Sequence, residues 1–379
     1  MMRAVRALAL VLCAVCIMQM LLLPLCPAVL ADGGMIGLSD VLVYGPGQNA
    51  IIAWDGEREI LILSINVYAE SETTALHVVP LPAEPDSIEQ GDFKSFEHLA
   101  GLLQERLASR EPWFDCSHHF EGDGDSGVDI VFHEKIGAHD IWVSRATDAA
   151  ELIEWADYFL AQNKIQHQVS SPELEEVAAE YIDEGIEHFV FDLIDLGPEQ
   201  ESVEPIVYQF RSDTLYYPLK ISSIIPGNSA ISLFLLTPDC LADVEGLPES
   251  YWHSESGRWE PVAVRLAQQD DLPVQFELGR GDLESVDQRV ADLLGDHAWL
   301  SLLQSFRGGY VDIGSRNFVP LAALEEDVSI SRTSFVQRSE HGGTAVWVWV
   351  LVGLAGALVA LSMVMLLYVN IGSRRKAHR

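Results

Sequence analysis

The stretch NAIIAWDGEREILILSINV, residues 49–67, sets the reading of the fold. Two β-rich runs, 49–54 and 59–67, flank Asp55-Gly56. Asp-Gly between such runs is a strong hairpin signal, because the tight turn needs residues that tolerate positive φ. A third strand is expected at 75–79. Pro80, Pro82 and Pro85 should end it, since proline removes a ladder donor.

Helical spacing follows. Phe93, Phe96, Leu99, Ala100, Leu103 and Leu107 recur at three and four residues and predict a helix over 92–107. Strands are expected at 128–132 and 140–144. A helix then starts after Thr147-Asp148, with Ala149, Leu152, Ile153, Ala156, Phe159 and Leu160 on one face and Asp148/Glu151 as a capping pair. Ser171-Pro172-Glu173 opens another helix, stopped at Gly185. Runs at 189–194, 206–210, 215–221 and 230–236 have the spacing of an antiparallel meander, and 262–266 and 274–278 add further strands. The stretch 283–306 reads as a long helix broken at Gly295. Strands and helices do not alternate regularly. The expected class is therefore α+β: mixed, largely antiparallel sheets with several packed helices, and a possible subdivision near 197–205.

The ends of the chain predict a membrane setting. Residues 1–31 hold Arg3 and Arg6, a long apolar run and then Val29-Leu30-Ala31, the layout of a signal peptide cut before Asp32. An uncleaved signal anchor is the alternative. Residues 345–369, AVWVWVLVGLAGALVALSMVMLLYV, carry no charge and are long enough to span a bilayer. Trp347, Trp349 and Tyr368 suit the two interfaces, and the basic tail 370–379 places the C-terminus in the cytoplasm. A domain at 32–328 and a polar stalk at 329–344 would then lie outside the cytoplasm. Gly353/Ala357 and Gly356/Ala360 are small-residue spacings that could pair two helices in a homodimer or with a protein partner. Glycine and alanine are also common in any span.

The chain has 57 acidic and 23 basic residues, a net charge of −34. Arg3, Arg6 and the tail bases fall outside 32–343, so that part is more acidic still. Such a field repels nucleic acid and favours cations, and it also serves solubility. No GxSxG or Walker pattern occurs. Cys116 and Cys240 remain after signal cleavage and form a disulfide candidate, with two buried thiols as the alternative.

The most suggestive polar stretch is CSHHFEGDGDSGVDIVFHEKIGAHD, residues 116–140. Asp123, Asp125, Asp129 and Glu134 fall at positions 1, 3, 7 and 12 of a calcium loop. However, Gly127 stands where a ligand belongs, and Val128 where glycine is needed. An irregular Ca2+ site and a solvated acidic turn are the two readings. His118, His119, His133 and His139 could serve a transition metal, but their spacing suits surface histidines better. Cys116 beside His118 or His119 admits a cysteine-dependent enzyme as a further alternative. Core packing explains most tryptophans; a ligand groove built from Trp252 and Trp259 is the one binding reading they offer.

Four groups of residues, taken in order, resemble a known family. They are GQNAIIAWDG at 47–56, LHVVPLPAEP at 76–85, the IG…DIWV…AELIEW pattern over 136–155, and YIDEG at 181–185 with Val203-Glu204-Pro205 and LYYPL at 215–219. Together they resemble the DUF2330 family of prokaryotic exported proteins of unknown function. The resemblance implies a signal peptide, an extracytoplasmic domain and often a C-terminal anchor; it brings no catalytic residues. Members often carry cysteines after the signal. Here Asp32-Gly33-Gly34-Met35 stands instead, so no metal or redox role tied to them transfers. The expectation is a membrane-anchored binding or structural surface module rather than an enzyme. A divalent-cation-binding ectodomain using 123–134 is the alternative.

Overall fold

The computed structural model describes residues 34–336, except 40–42, 70, 108–129, 137, 198–200, 226, 243–246, 254–256, 270–271 and 308–317. The turn at Asp55 forms as its residues dictate. Asp55 Oδ1 accepts from the backbone N–H groups of Glu57 and Arg58 at 2.8 Å, and Gly56 takes φ 105°. This turn joins β2 (Val43–Trp54) to β3 (Arg58–Ala69), paired antiparallel with a register shift between Tyr44 and Gly47.

The hairpin lies inside a ten-stranded sheet. Beside β3 come β9 (Glu201–Arg211) and then β5 (Ser87–Gln90). Beside β2 comes β11 (Asn228–Thr237), followed by β18 (His297–Arg307), β14 (Trp259–Leu266) and β13 (Glu249–His253). β17 (Gln275–Gly279) also pairs with β18, and β19 (Val319–Pro320) with β11. The β11–β2 pair is parallel, from Ala230↔Gly47 to Leu236↔Ala53. A five-stranded antiparallel sheet has the order β1 (Met35–Gly37), β4 (Thr73–Leu81), β8 (His188–Leu196), β7 (His139–Arg145), β6 (Ile130–Ile136). Smaller pairs join β10 (Thr214–Tyr217) to β20 (Val328–Ser331), β12 (Cys240–Leu241) to β21 (Phe335–Val336), and β15 (Gln268–Gln269) to β16 (Leu272–Pro273).

Three apolar layers explain the stacking. The central one takes Val79, Ile141, Val143, Val190 and Ile194 from the five-stranded sheet, and Ile52, Leu61, Leu63, Tyr208, Leu233 and Val264 from the ten-stranded sheet. The two sheets thus pack face to face. The outer face of the smaller sheet is covered by α2 (Ala149–Gln162) and α3 (Pro172–Asp183), where Trp142, Trp155, Phe159, Tyr181, Phe189 and Phe191 meet. The outer face of the larger sheet is covered by α1 (Lys94–Leu107), α4 (Arg280–Val286) and α5 (Gln288–Leu294), through Phe96, Leu99, Leu283, Val290, Phe234 and Leu300. The result is a helix–sheet–sheet–helix stack. Alternate residues of β2 explain it locally: Ala50, Ile52 and Trp54 face the centre, while Ile51 and Ala53 face the helices.

The α+β class and the predicted helices at α1, α2 and α3 are present. Asp148 caps α2 by accepting from Glu151 N, Ser171 caps α3 by accepting from Leu174 N, and Gly185 follows α3 at φ 86°. Several expectations are corrected. The stretch 283–306 is helical only to Leu294; Gly295 at φ 83° stops it, and His297–Arg307 is a central strand. Both faces of that strand are buried, so its apolar run lacks strand alternation and mimics a helix. Pro80 does not end β4, which continues to Leu81. Pro80 pairs with Phe189 of β8, but β1 reaches only Ala75–His77, so no ladder bond is asked of proline on the other side. The strands after α3 are not a meander. β8, ending at Leu196, belongs to the smaller sheet and β9, beginning at Glu201, to the larger, and β10 pairs with β20.

The described residues to Phe335 form one compact unit. The polar stretch from Ser329, read as stalk, begins as the end of β20 and continues through a 3-10 turn, Arg332–Ser334, into β21. Among the described residues no helix is long and apolar enough to cross a membrane. The stretch 345–369 with Gly353, Gly356, Ala357 and Ala360, the leader 1–31 and the tail lie outside them.

Candidate functional site

Asp123, Asp125, Asp129, Cys116, His118 and His119 lie outside the described residues. Glu134 and His133 fall on β6, opposite Ile141 and Trp142 of β7. Among the described residues no three His, Cys, Asp or Glu side chains gather as a metal site. Cys240 is buried, its Sγ 3.2 Å from Gln275 Oε1.

His139, expected at the surface, is 1% exposed at the start of β7. Its Nδ1 is 2.5 Å from Asp192 Oδ2 on β8, and its Nε2 is 2.9 Å from the Glu204 carbonyl. A carbonyl only accepts, so Nε2 carries a proton; a second proton is shared between Nδ1 and the carboxylate. Burial alone would lower the imidazole pKa. The Asp192 charge, its hydrogen bond and the Glu204 carbonyl outweigh it and raise the value. Burial raises that of Asp192, opposed by His139. The pair therefore holds its proton tightly between the two sheets, with His77 directly across from Asp192.

A second polar knot ties the C-terminal part of the unit to the smaller sheet. Asp327 Oδ1 accepts from Tyr181 Oη at 2.9 Å and the Lys220 N–H at 2.7 Å, and Oδ2 accepts from Tyr216 Oη at 3.0 Å. Tyr181 Oη also accepts from the Ile221 N–H. Lys220 Nζ sits 4.4 Å from the centre of the Tyr181 ring and pairs with Glu184 at 2.7 Å and Glu180 at 3.4 Å. Burial pushes Asp327 up to about 6, although its three donors and the Lys220 charge pull the other way. Nearby, buried Glu59 accepts from the Tyr216 N–H at 2.8 Å, and burial raises its pKa well above the usual carboxylate range. These groups hold elements together at depth.

Chemistry that faces solvent is found on the β13–β14 hairpin. Cross-strand pairing sets His253 opposite Trp259 and Tyr251 opposite Pro261. Residues two apart on a strand share a face, so these four lie on one side. Trp252 pairs with Glu260 on the other side and packs on the central core. Trp252 and Trp259 therefore cannot wall one groove, which corrects that expectation. Trp259 is 68% and Tyr251 65% exposed, and the rings of His253 and Trp259 meet edge to face at 5.3 Å. On the same face Arg265 binds Glu249 at 2.8 Å; behind it Arg307 binds Glu260 at 2.7 Å. The hairpin sits by the N-terminal end of β11, where β14 and β18 pair Val262 with Arg307. Phe335 packs against Trp54 at 5.8 Å, beside the C-terminal end of β11. The aromatic face and Phe335 are thus separated by a full strand length, on the order of 30 Å.

Sequence reasoning missed both buried knots. The first carried a signal, a polar residue at an inward position of an apolar strand, as Asp192 is in HFVFDLIDL.

No curated protein matches the chain in sequence. Solved structures similar to it include baculovirus P35, at 10% identity over 77% of this chain and 98% of that one, TM-score 0.34. The caspase-8/P35 complex is similar at 9% identity, 76% and 96% coverage and TM-score 0.35. Likeness at that level says nothing more about this chain. The sequence profile of DUF2330, an uncharacterized protein conserved in bacteria, matches residues 26–249, more than half of the length. The chain belongs to the DUF2330 family.

Proposed function

We propose that this protein is held by a single membrane span, with its folded unit outside the cytoplasm, and that it acts by binding rather than by catalysis. One observation carries the binding reading: Tyr251 and Trp259, two-thirds exposed, share one face of an edge hairpin a strand length away from Phe335. Large aromatic rings left in water at one place mark interaction sites. The best acid–base pair among the described residues, His139–Asp192, is by contrast buried where no substrate reaches it. The uncharged run 345–369 followed by Arg374-Arg375-Lys376 supports the anchor and its orientation.

The test is labelling of a Trp259→Cys variant of the full chain in intact cells with a membrane-impermeant maleimide. Strong labelling without permeabilisation, well above that of the wild type with its native Cys116 and Cys240, is expected. Labelling only after the cells are opened would refute the external placement.

A further inference from the structure

We infer that the outer face of the β13–β14 hairpin binds a neutral saccharide, with pyranose rings stacked on Trp259 and Tyr251. This rests on the reading of that face as a binding surface and names its ligand class.

Size comes first. Two aromatic side chains, each able to bury about 150–250 Å², expose together roughly 250–300 Å² here. A stable protein interface needs about 800 Å² from each partner. The two rings alone cover less than half of that and are matched in size by one to three sugar rings.

Charge comes second. The chain carries −34, yet among the described residues of this face Glu249 is paired with Arg265 at 2.8 Å. Charges farther off are screened within about 8–10 Å. With that screening, the described residues of the face offer no net charge to a polyanion or to a polycation.

Chemistry comes third. A pyranose presents C–H groups on one face and hydroxyls around its rim. The C–H face suits the electron-rich face of indole and phenol. His253, whose ring meets that of Trp259 edge to face at 5.3 Å, and Tyr251 bring an imidazole and a phenol hydroxyl, both able to hydrogen-bond sugar hydroxyls, to the same face. The ring contact and the cross-strand pair hold Trp259 in place, which lowers the ordering cost on binding.

Calorimetry would use the full chain in a detergent without a sugar headgroup, titrated with the β-1,4 hexasaccharides of glucose and of N-acetylglucosamine. At least one should bind. Trp259→Ala should weaken that binding about tenfold or more, and Tyr251→Ala several-fold, with the melting temperature unchanged. Leu272→Ala, which removes an exposed apolar side chain elsewhere, should leave it unaltered. The proposal is overturned if neither saccharide binds the wild type, or if binding survives both aromatic substitutions. It is also overturned if the wild type is a dimer that Trp259→Ala dissociates. None of these outcomes alters the maleimide result, so failure here is distinct from failure of the anchored placement.

Discussion

Replacing Asp327 by asparagine should remove a defined part of the pH dependence of stability. Asp327 is held at about 6 in the fold, against 3.8 for the free side chain. A carboxyl raised in this way is protonated in the native state before it is protonated in the unfolded chain. Stability therefore rises as pH falls from 7.5 through 6 toward 4, and flattens below the unfolded value. A difference of that size corresponds to roughly 3 kcal/mol, reduced toward 2 because Asp327 is only partly buried. Asparagine can keep the network. Its carbonyl accepts from the Lys220 N–H and Tyr181 Oη, its amide donates to Tyr216 Oη, and Tyr216 then donates to the Pro80 carbonyl, 3.3 Å away. Urea unfolding of the full chain in non-ionic detergent, followed by circular dichroism at pH 5, 6, 7 and 8, would measure the difference. On going from pH 8 to pH 5, only one unit below the folded value, the wild type should gain about 1–1.5 kcal/mol relative to Asp327→Asn, with the rest appearing toward pH 4. Parallel profiles for the two proteins would refute the reasoning.

His139→Gln should leave the Asp192 carboxylate buried without its cation and cost about 3–5 kcal/mol in urea unfolding at pH 7. Asp192→Asn added to it should recover part of that loss, and a single-variant cost below about 1 kcal/mol would contradict the shared-proton pair. The His139 pKa is raised, so its contribution is complete below the usual imidazole value and declines as pH rises through the folded one; His139→Gln should lack that alkaline decline. Phe159 packs at 4.5 Å from Trp142 and 5.4 Å from Trp155, ring centre to ring centre. Phe159→Ala should lower stability by about 3–5 kcal/mol in the same assay, and near-neutrality would mean α2 is not seated on the smaller sheet.

The Asp55-Gly56 hairpin, the capped helices α2 and α3 and the α+β class were legible in the sequence. Each rests on local chemistry: a turn that needs glycine, a cap that needs a serine or aspartate oxygen, a helical face repeating every three to four residues. The strand His297–Arg307 was not legible, because burial on both faces erases alternation. Nor was the parallel union of β2 with β11, which joins residues some 180 positions apart and has no local trace. The same holds for function. The sequence by itself determined the charge, the anchor-like run and the family resemblance, all properties of composition and order. Only the tertiary structure decided that Trp259 shares a face with Tyr251 and His253 rather than with Trp252, and that His139 is buried against Asp192. Register across strands sets which side chains meet, and register follows from how whole sheets bury their apolar faces.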